Sequence, residues 1–329
     1  MNQTVWRGDQ RRIHIQEVGP RDGLQMESVF IETDHKIALV NALAEAGVSK
    51  IEVTAMVSPQ AIPALKDAEA VLRGITRRPG VTYSALVPNV RGAQRAQEAG
   101  ADEFNMVMSA TVSHNLSNLR MLPEQSFAVL GQVVREGQQH RIGVNISLSC
   151  AFGCPMEGEV DPAQVLDWCA RFVQEWGVKG VSLCDTTGMA HPGQVHLMVQ
   201  AFQARFPTTE LTLHFHNTRG MGLANVLAAI DAGARRFDTS IGGLGGCPYA
   251  PGASGNVCTE DIVHALHCLG YDTGVNLEAV LEVARGLPAL IGHETPSAVA
   301  KAGHRMVRHP KPEQFEQIRQ RAVQRLGGS

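Results

Sequence analysis

The stretch AEAGVSKIEV, residues 44–53, ends a helical pattern at a glycine and enters a β-rich run about three residues later. The same arrangement recurs in QEAGADEFNMV (97–107), QEWGVKGVSLCD (174–185) and DAGARRFDTSI (231–241). We expect these glycines to adopt the left-handed conformation after each helix, where a Cβ atom is penalised; they are Gly47, Gly100, Gly177 and Gly233. A signal before every second strand is typical of a barrel built from two-strand modules, although any α/β protein can end its helices this way.

Outward from these segments, the chain alternates short β-rich runs with longer amphipathic helical patterns. This alternation predicts a parallel sheet with crossover helices, either open or closed into a barrel. Eight runs qualify as strands: HIQEV (14–18), KIEVTAM (50–56), TYSALV (82–87), EFNMVM (103–108), GVNISLS (143–149), GVSLCDT (180–186), LTLHFH (211–216) and RRFDTSI (235–241). Eight strands favour an α/β fold of the (β/α)8 TIM-barrel type with extra C-terminal helices.

The helical patterns predict a single domain over residues 1–329. The barrel is expected over about residues 12–260 and a C-terminal helical extension over about residues 260–329. Thr33 is the predicted N-cap of the helix after the first strand, and Pro162 is predicted in the first turn of a later helix. After the eighth strand, TEDIVHALHCLGY and NLEAVLEVARGLPALIG predict further helices, and the tail from Pro310 predicts a last exposed helix.

The composition excludes several classes of protein. Of 329 residues, 44% are hydrophobic and 19% charged, as in a soluble globular protein with a sizeable core. A net charge of −3, with acids and bases interspersed, does not predict the positively charged surface that binds nucleic acid. The polar amino terminus lacks a secretory signal, and no run approaches the ~20 apolar residues of a membrane span, so we expect a cytoplasmic protein. Seven cysteines, an odd number, favour reduced thiols over a disulfide framework.

Two histidines end the seventh predicted strand. His214 and His216 are two residues apart, so their side chains point to one face of the strand while Phe215 points to the other. In a TIM barrel the active site lies at the carboxyl ends of the strands. A lone histidine there would usually be a hydrogen-bonded core residue, whereas a pair with suitable partners favours a metal site.

Asp22 and Asn256 are the partners that the sequence offers to this pair. Asp22 follows the first strand in EVGPRDGLQ, from where its carboxylate can reach the barrel axis. Asn256, in the loop GLGGCPYAPGASGN, could add a neutral carbonyl oxygen or simply be a loop asparagine. Two nitrogens and two oxygens leave two octahedral positions open for a chelating substrate. Such ligation suits Mg²⁺ or Mn²⁺ better than tetrahedral zinc.

Three more charged residues fall at strand ends. Arg21 keeps its charge and could stabilise an oxyanion on a carbonyl, or serve only in a structural ion pair. Glu52 in the second strand and Asp185 in the sixth offer carboxylates for proton transfer. Either could instead orient Arg21 and the histidines.

Cysteines provide the remaining candidates. Cys247 lies in the glycine-rich loop after the eighth strand, where a mobile thiol over a metal could donate a proton. A phosphate cradle is not favoured, because neither GxxxxGK[ST] nor GxGxxG after the first strand occurs. Cys150 and Cys154, separated by three residues, read as ordinary thiols rather than zinc ligands because no second cysteine pair stands at ligand spacing.

With VGPRDGLQ, IEVT, CDTTG, HFHNT and GLGGCPYAPGASGN in view, the chain resembles the 3-hydroxy-3-methylglutaryl-CoA lyase family of the DRE-TIM metallolyases, from about residue 14 to about residue 290. The resemblance implies a TIM barrel that cleaves a 3-hydroxyacyl-CoA to acetyl-CoA and, for the namesake substrate, acetoacetate. It implies a divalent metal held at the positions Asp22, His214, His216 and Asn256. Arg21 would stabilise the enolate oxygen, and Cys247 would help protonate the enolate carbon.

The chain departs from the family pattern around the substrate. The family usually has a tyrosine where Ser147 stands, a lysine near Ser28, and an aspartate and a tyrosine where HFHNTRG carries Asn217 and Arg219. Arg219 could engage a differently placed carboxylate, so a lyase acting on citramalyl-CoA or another 3-hydroxyacyl-CoA is the close alternative. The expected substrate-binding residues are Arg21, Gln25, Ser147 and Arg219, and His214 is expected to act in catalysis as well as in ligation.

Two further functions compete with the lyase. A condensing synthase of the same superfamily would carry a long C-terminal region, whereas only about 40 residues follow the resemblance here. A non-catalytic metal- or CoA-binding barrel would be expected to lack a metal ligand or the proton donor. The sequence has all four candidate ligands and Cys247. The expected partners are an acyl-CoA substrate and a second copy of the chain in a homodimer.

Overall fold

The computed structural model describes residues 5–8, 11–246 and 255–326. Eight parallel strands close into a barrel in the order β1 to β8, which confirms the TIM-barrel prediction and excludes an open sheet. The strands are β1 (His14–Glu17), β2 (Lys50–Ala55), β3 (Thr82–Leu86), β4 (Glu103–Ser109), β5 (Gly143–Ser149), β6 (Gly180–Asp185), β7 (Glu210–Phe215) and β8 (Arg236–Thr239). Each strand overlaps one of the eight predicted runs.

Helices surround the barrel and extend beyond it at the C-terminal side. They are α1 (Thr33–Glu45), α2 (Ala68–Gly74), α3 (Val90–Glu98), α4 (Val112–Leu119), α5 (Pro123–His140), α6 (Pro162–Trp176), α7 (Pro192–Arg205), α8 (Gly222–Asp231), α9 (Thr259–Cys268), α10 (Leu277–Ile291), α11 (Ala298–Ala302) and α12 (Phe315–Leu326). No helix in the described part of the chain is both long enough and apolar enough to cross a membrane.

The helix ends follow the predictions with one exception. The glycines after α1, α3, α6 and α8 have positive φ, as expected: 95° at Gly47, 90° at Gly100, 69° at Gly177 and 110° at Gly233. The prediction for Pro162 is confirmed, because it begins α6.

Thr33 is the exception, because it is the first residue of α1 and Glu32 is the N-cap. The Thr33 hydroxyl instead donates to Asp67 Oδ2 at 2.8 Å, a partner distant in sequence that supplies a stronger acceptor than the helix start.

Side chains alternate between the lumen of the barrel and the shell of helices. In β5, Ile146 and Leu148 are fully buried in the hydrophobic core that lies between strands and helices. Their neighbour Ser147 faces inward and donates to Asn105 Oδ1 at 3.0 Å. Asn145 donates to the same oxygen at 3.0 Å, so the lumen is held by polar contacts rather than by branched aliphatic layers.

The lumen has two distinct ends. At the amino ends of the strands, Lys50 Nζ pairs with Glu103 Oε1 at 2.7 Å. At the carboxyl ends, side chains from β3 to β8 and from the turn after β1 border an open cavity. The helices beyond β8 pack against the barrel. Asn276 N, just before α10, donates to Ala46 O, just after α1, at 2.7 Å.

Candidate active site

Asp22, His214 and His216 meet at the carboxyl end of the barrel. One ligand atom from each lies within 4.8 Å of the others, and all three residues are buried. The two Nε2 atoms of the histidines are 3.1 Å apart, which follows from their shared face of β7. This grouping can hold a metal ion.

A π-helical turn, Gly19–Gly23, carries Asp22 from the end of β1 toward the histidines. The amides of Arg21 and Asp22 both donate to Val18 O, at 3.1 and 2.7 Å, which tightens the turn against the strand. Turns of this kind are rare and frequently occur at functional sites. The turn places two consecutive charged side chains over the lumen.

Asn256 lies beside this group. Its Nδ2 donates to Asp22 Oδ2 at 2.7 Å and to Leu244 O at 3.0 Å, and its backbone pairs with His216 in an isolated bridge. Within the described residues its Oδ1 is buried without a hydrogen-bond partner. A buried carbonyl oxygen without a partner beside one carboxylate and two imidazoles fits a hard divalent cation, so the donor set agrees with the expected metal.

Gly245 allows this close approach. Its φ is 105°, and a Cβ atom built there would lie 2.6 Å from Asn256 Nδ2 and 3.2 Å from Asp22 Oδ2. A side chain at position 245 would therefore displace both candidate ligands.

Charges around the group define its protonation. Burial alone would raise the pKa of Asp22, but Arg21, His214, His216 and the Asn256 hydrogen bond outweigh it, so the pKa is lowered. Burial would likewise lower the pKa of His214, but its hydrogen bond to Asp238 prevails and the pKa is raised.

Asp238 was not singled out in the sequence, although it occupies the same strand-end position in β8 that made the other candidates stand out. Its Oδ2 lies 3.3 Å from His214 Nδ1, a contact that fixes the ring and leaves Nε2 facing His216. Asp238 also lines the cavity.

Arg21 is held by carboxylates on two sides. Its Nε donates to Glu52 Oε2 and its Nη1 to Asp22 Oδ1, both at 2.5 Å. Glu52 Oε1 accepts from Asn105 Nδ2 at 2.7 Å, a second residue that the sequence did not indicate. Burial raises the pKa of Glu52 although Arg21 and Asn105 oppose the shift. Arg21 is thus in a buried ion pair and at the same time lines the cavity.

The cavity has a volume of about 760 Å³. Its polar lining includes Arg21, Asp22, Gln25, Ser147, Cys184, His214, His216 and Asp238. Its apolar lining includes Met26, Phe30, Val57, Ile62, Leu86, Val107 and Leu119. An apolar cleft of this size with a few convergent polar groups is typical of small-molecule and cofactor sites.

The predicted site residues divide by their place relative to this cavity. Gln25 and Ser147 line it, and Gln25 Nε2 donates to Asp22 Oδ1 at 3.1 Å. Asp185 does not line it: the Asp185 Oδ1 atom accepts from Met189 N at 2.7 Å and Ala190 N at 3.1 Å. The contacts of Asp185 therefore match a role in holding the loop after β6 better than a role in proton transfer.

Arg219 also lies outside the lining residues. Its guanidinium donates to the carbonyl oxygens of Thr187 at 3.0 Å and Gly188 at 2.9 Å, on the same loop after β6. Both hydrogen bonds use Nη1, so the backbone takes up one of the three guanidinium nitrogens of Arg219. Cys247 falls outside the described residues; its neighbour Gly246 lines the cavity.

Comparison with known proteins identifies similar chains across nearly the whole length. The model of the HMGL-like family matches residues 12–286. Over 287 residues the chain is 46% identical to hydroxymethylglutaryl-CoA lyase YngG of Bacillus subtilis, covering 87% of this chain and 96% of that protein. The human mitochondrial hydroxymethylglutaryl-CoA lyase is 41% identical over 292 residues, covering 89% and 90%.

Solved structures agree with the sequence comparisons. The structure of an HMG-CoA lyase from Acinetobacter baumannii, in complex with coenzyme A and 3-methylmalate, has a TM-score of 0.88 and 47% identity. The alignment covers 95% of this chain and 100% of that one. The similarity therefore includes all eight strands and the residues that gather at their carboxyl ends.

Proposed function

The chain belongs to the HMGL-like family, and on that premise we propose that it is a carbon–carbon lyase that cleaves 3-hydroxy-3-methylglutaryl-CoA to acetyl-CoA and acetoacetate. The convergence of Asp22, His214 and His216 beside Arg21 in one cavity carries the proposal. The names of the relatives favour this substrate over citramalyl-CoA. They also favour cleavage over condensation.

The ligands of the proposed metal are Asp22, His214, His216 and the Oδ1 atom of Asn256, and the ion is Mg²⁺ or Mn²⁺. When bound, such an ion acts as a Lewis acid that polarises the hydroxyl and an adjacent carbonyl of a chelating substrate. The buried oxygen of Asn256 without a described partner supports the fourth ligand.

Cleavage requires that the substrate hydroxyl lose its proton. Glu52 and Asp185 are the carboxylates expected in proton transfer, and neither lines the cavity, whereas His214 does. With Nδ1 directed to Asp238 and Nε2 directed to the ion, the His214 ring would favour the ionised hydroxyl as a ligand, and the proton would pass to solvent in the open cavity. Glu52 orients Arg21, and Asp185 orients the loop after β6.

The electron pair of the broken carbon–carbon bond passes to the thioester as an enolate. Arg21 lines the cavity with a permanent charge, and its contacts with Glu52 and Asp22 hold the guanidinium in place before the reaction. Preorganised charge of this kind stabilises a developing oxyanion. We assign protonation of the enolate carbon to Cys247, on the basis of the family motif and of Gly246 in the cavity lining.

Substrate binding is assigned to Arg21, Gln25 and Ser147. The apolar side chains of the cavity can contact the acyl chain and its thioester arm, consistent with an acyl-CoA ligand. Ser147 leaves more room than the tyrosine usual in the family, so it is the proposed determinant of tolerance for the acyl group.

A coupled assay with Mg²⁺ or Mn²⁺ tests the function. Purified protein is offered 3-hydroxy-3-methylglutaryl-CoA and citramalyl-CoA in parallel, with detection of acetoacetate and pyruvate. Metal-dependent release of acetoacetate, lost in His214→Ala and kept in His196→Ala, supports the proposal. His196 is a matched control because it contacts Asp231 on the outside of the barrel. Release of pyruvate alone, or turnover of neither substrate, contradicts it.

We further propose that residues 1–329 fold as one unit and act as a cytoplasmic homodimer. The last helix supports the dimer, because α12 exposes Ile318, Val323 and Leu326. Sedimentation of the intact chain and of Ile318→Lys tests the dimer; a monomeric parent protein contradicts it. Cell fractionation tests the compartment.

A further inference from the structure

A carboxyl group is buried at the end of β1, one turn below the candidate ligands. The side chain of Glu17 is 0% exposed. Its Oε1 accepts from Gly19 N at 2.7 Å and from Ile241 N at 2.9 Å, and its Oε2 is hydrogen-bonded to Thr259 Oγ1 at 2.6 Å. Three donors from three different segments therefore meet on one side chain.

Each of these segments carries part of the site. Gly19 begins the π-helical turn that holds Arg21 and Asp22. Ile241 begins the short 3-10 turn Ile241–Gly243, which leads into the glycine-rich loop. Thr259 begins α9, three residues after Asn256. Two of these segments lie 224 and 242 residues from Glu17, so no local sequence preference can align them with the turn at Gly19.

The surroundings of Glu17 are shaped around this carboxyl. A Cβ atom at position 19 would lie 2.7 Å from Glu17 Oε1, so only glycine admits the oxygen there. Thr259 Oγ1 also lies 2.7 Å from Thr239 Oγ1, which extends the contact to the end of β8. Gly242 N, the next amide of the loop, donates to Glu260 Oε2 at 3.1 Å, so two carboxyls hold consecutive amides.

Burial of a carboxyl costs desolvation free energy unless hydrogen bonds compensate it. Apolar side chains would fill the same space without that cost. Glu17 does not line the substrate cavity, which separates it from the residues that can touch a ligand. Within the described residues, its hydrogen bonds are to backbone and hydroxyl groups of segments that carry Asp22, Asn256 and the loop before Cys247.

We propose that Glu17 is a positioning residue, which aligns the turn of Asp22 with the segment of Asn256 and with the glycine-rich loop. The inference rests on the proposed function for its kinetic consequences, but not for its effect on the ligand set. Removal of the carboxyl releases all three segments at once. The metal affinity and kcat should therefore fall, while the KM for the thioester changes little.

The test compares Glu17→Ala and Glu17→Gln with the parent protein. The control is Glu103→Ala, which removes a partly buried carboxyl at the opposite end of the barrel, where it pairs with Lys50. Mn²⁺ affinity is measured by titration calorimetry at a temperature where every variant is folded by circular dichroism. We expect Glu17→Ala to weaken Mn²⁺ binding and lower kcat, each about tenfold or more. Glu17→Gln should recover most of both, because one amide oxygen can still accept from Gly19 and Ile241.

The same affinity and kcat in Glu17→Ala as in the parent protein would overturn the inference, and so would equal losses in Glu103→Ala. If Glu17→Ala does not fold, Thr259→Val keeps nearly the same volume, removes the hydroxyl that contacts Glu17 and Thr239, and is subject to the same criteria. Because Mn²⁺ binding needs no substrate, loss of affinity in a protein that does not cleave 3-hydroxy-3-methylglutaryl-CoA would refute the function and leave the positioning role intact.

Discussion

Replacement of Gly245 by alanine tests whether the candidate ligands depend on one close backbone contact. The residue has φ of 105°, a conformation that costs an alanine about 1–3 kcal/mol. The new Cβ would lie 2.6 Å from Asn256 Nδ2, closer than a Cβ atom comes to non-bonded atoms in proteins. Asn256 or the loop must therefore shift. Asp22 Oδ2, at 3.2 Å from the same Cβ, must shift with it because Asn256 donates to it.

A shift of this size acts on the chemistry more than on the fold. Misplacement of a reacting group by about 1 Å can cost ~100-fold in rate, so we expect kcat to fall about 100-fold in Gly245→Ala. Stability should fall by about 1–3 kcal/mol, from the strained backbone alone. The control is Gly286→Ala, in the exposed part of α10, where a Cβ would meet nothing within 4 Å. That variant should keep full activity and equal or slightly greater stability.

The assay measures kcat and KM in the coupled reaction, with the stability of each variant taken from urea unfolding. Activity of Gly245→Ala within threefold of the parent protein would refute the reasoning, because the Cβ contact would then be relieved without moving the ligands. A similar loss in Gly286→Ala would show that the effect belongs to glycine substitution in general.

Three other predictions follow from the contacts of single residues. Arg21→Gln should lower kcat about 100- to 1000-fold, since it removes the charge facing the enolate; turnover within tenfold would exclude that role. Burial raises the pKa of Glu17 to about 8, above its ordinary 4.5, so its stabilising contribution is complete below pH 4.5 and is lost as the pH rises through 8. Between pH 6 and 8, the free energy of unfolding measured in urea should decline less steeply in Glu17→Gln than in the parent protein, by at most about 1.4 kcal/mol per pH unit. Parallel declines in the two proteins would contradict the raised pKa of Glu17. Arg219→Ala should lower stability by about 1–3 kcal/mol and leave KM within threefold; a tenfold rise in KM would instead place Arg219 on the substrate.

Much of the fold could be predicted from the sequence because its determinants are local. The four recurring glycines mark helix ends through a backbone conformation that other residues avoid, and all four have positive φ. His214 and His216 share a face because of the two-residue period of a strand. Asp22 could be placed near them because strand ends of a barrel converge. Periodicity and fold class together therefore predict that Asp22, His214 and His216 meet at the carboxyl end of the barrel.

The remaining features depend on contacts between residues that are distant in the chain. The sequence presents Arg219 as a free cation near the site, but the tertiary structure directs it to the carbonyl oxygens of Thr187 and Gly188. The contacts of Asp185 Oδ1 with the amides of Met189 and Ala190 could not be predicted from the sequence. Nothing in the sequence distinguishes Glu17 from other strand residues, because its hydrogen-bond partners lie up to 242 positions away. Strand period and backbone preference act over a few residues and can be read from the sequence, whereas hydrogen-bond partners are chosen only when the closed barrel brings distant segments together.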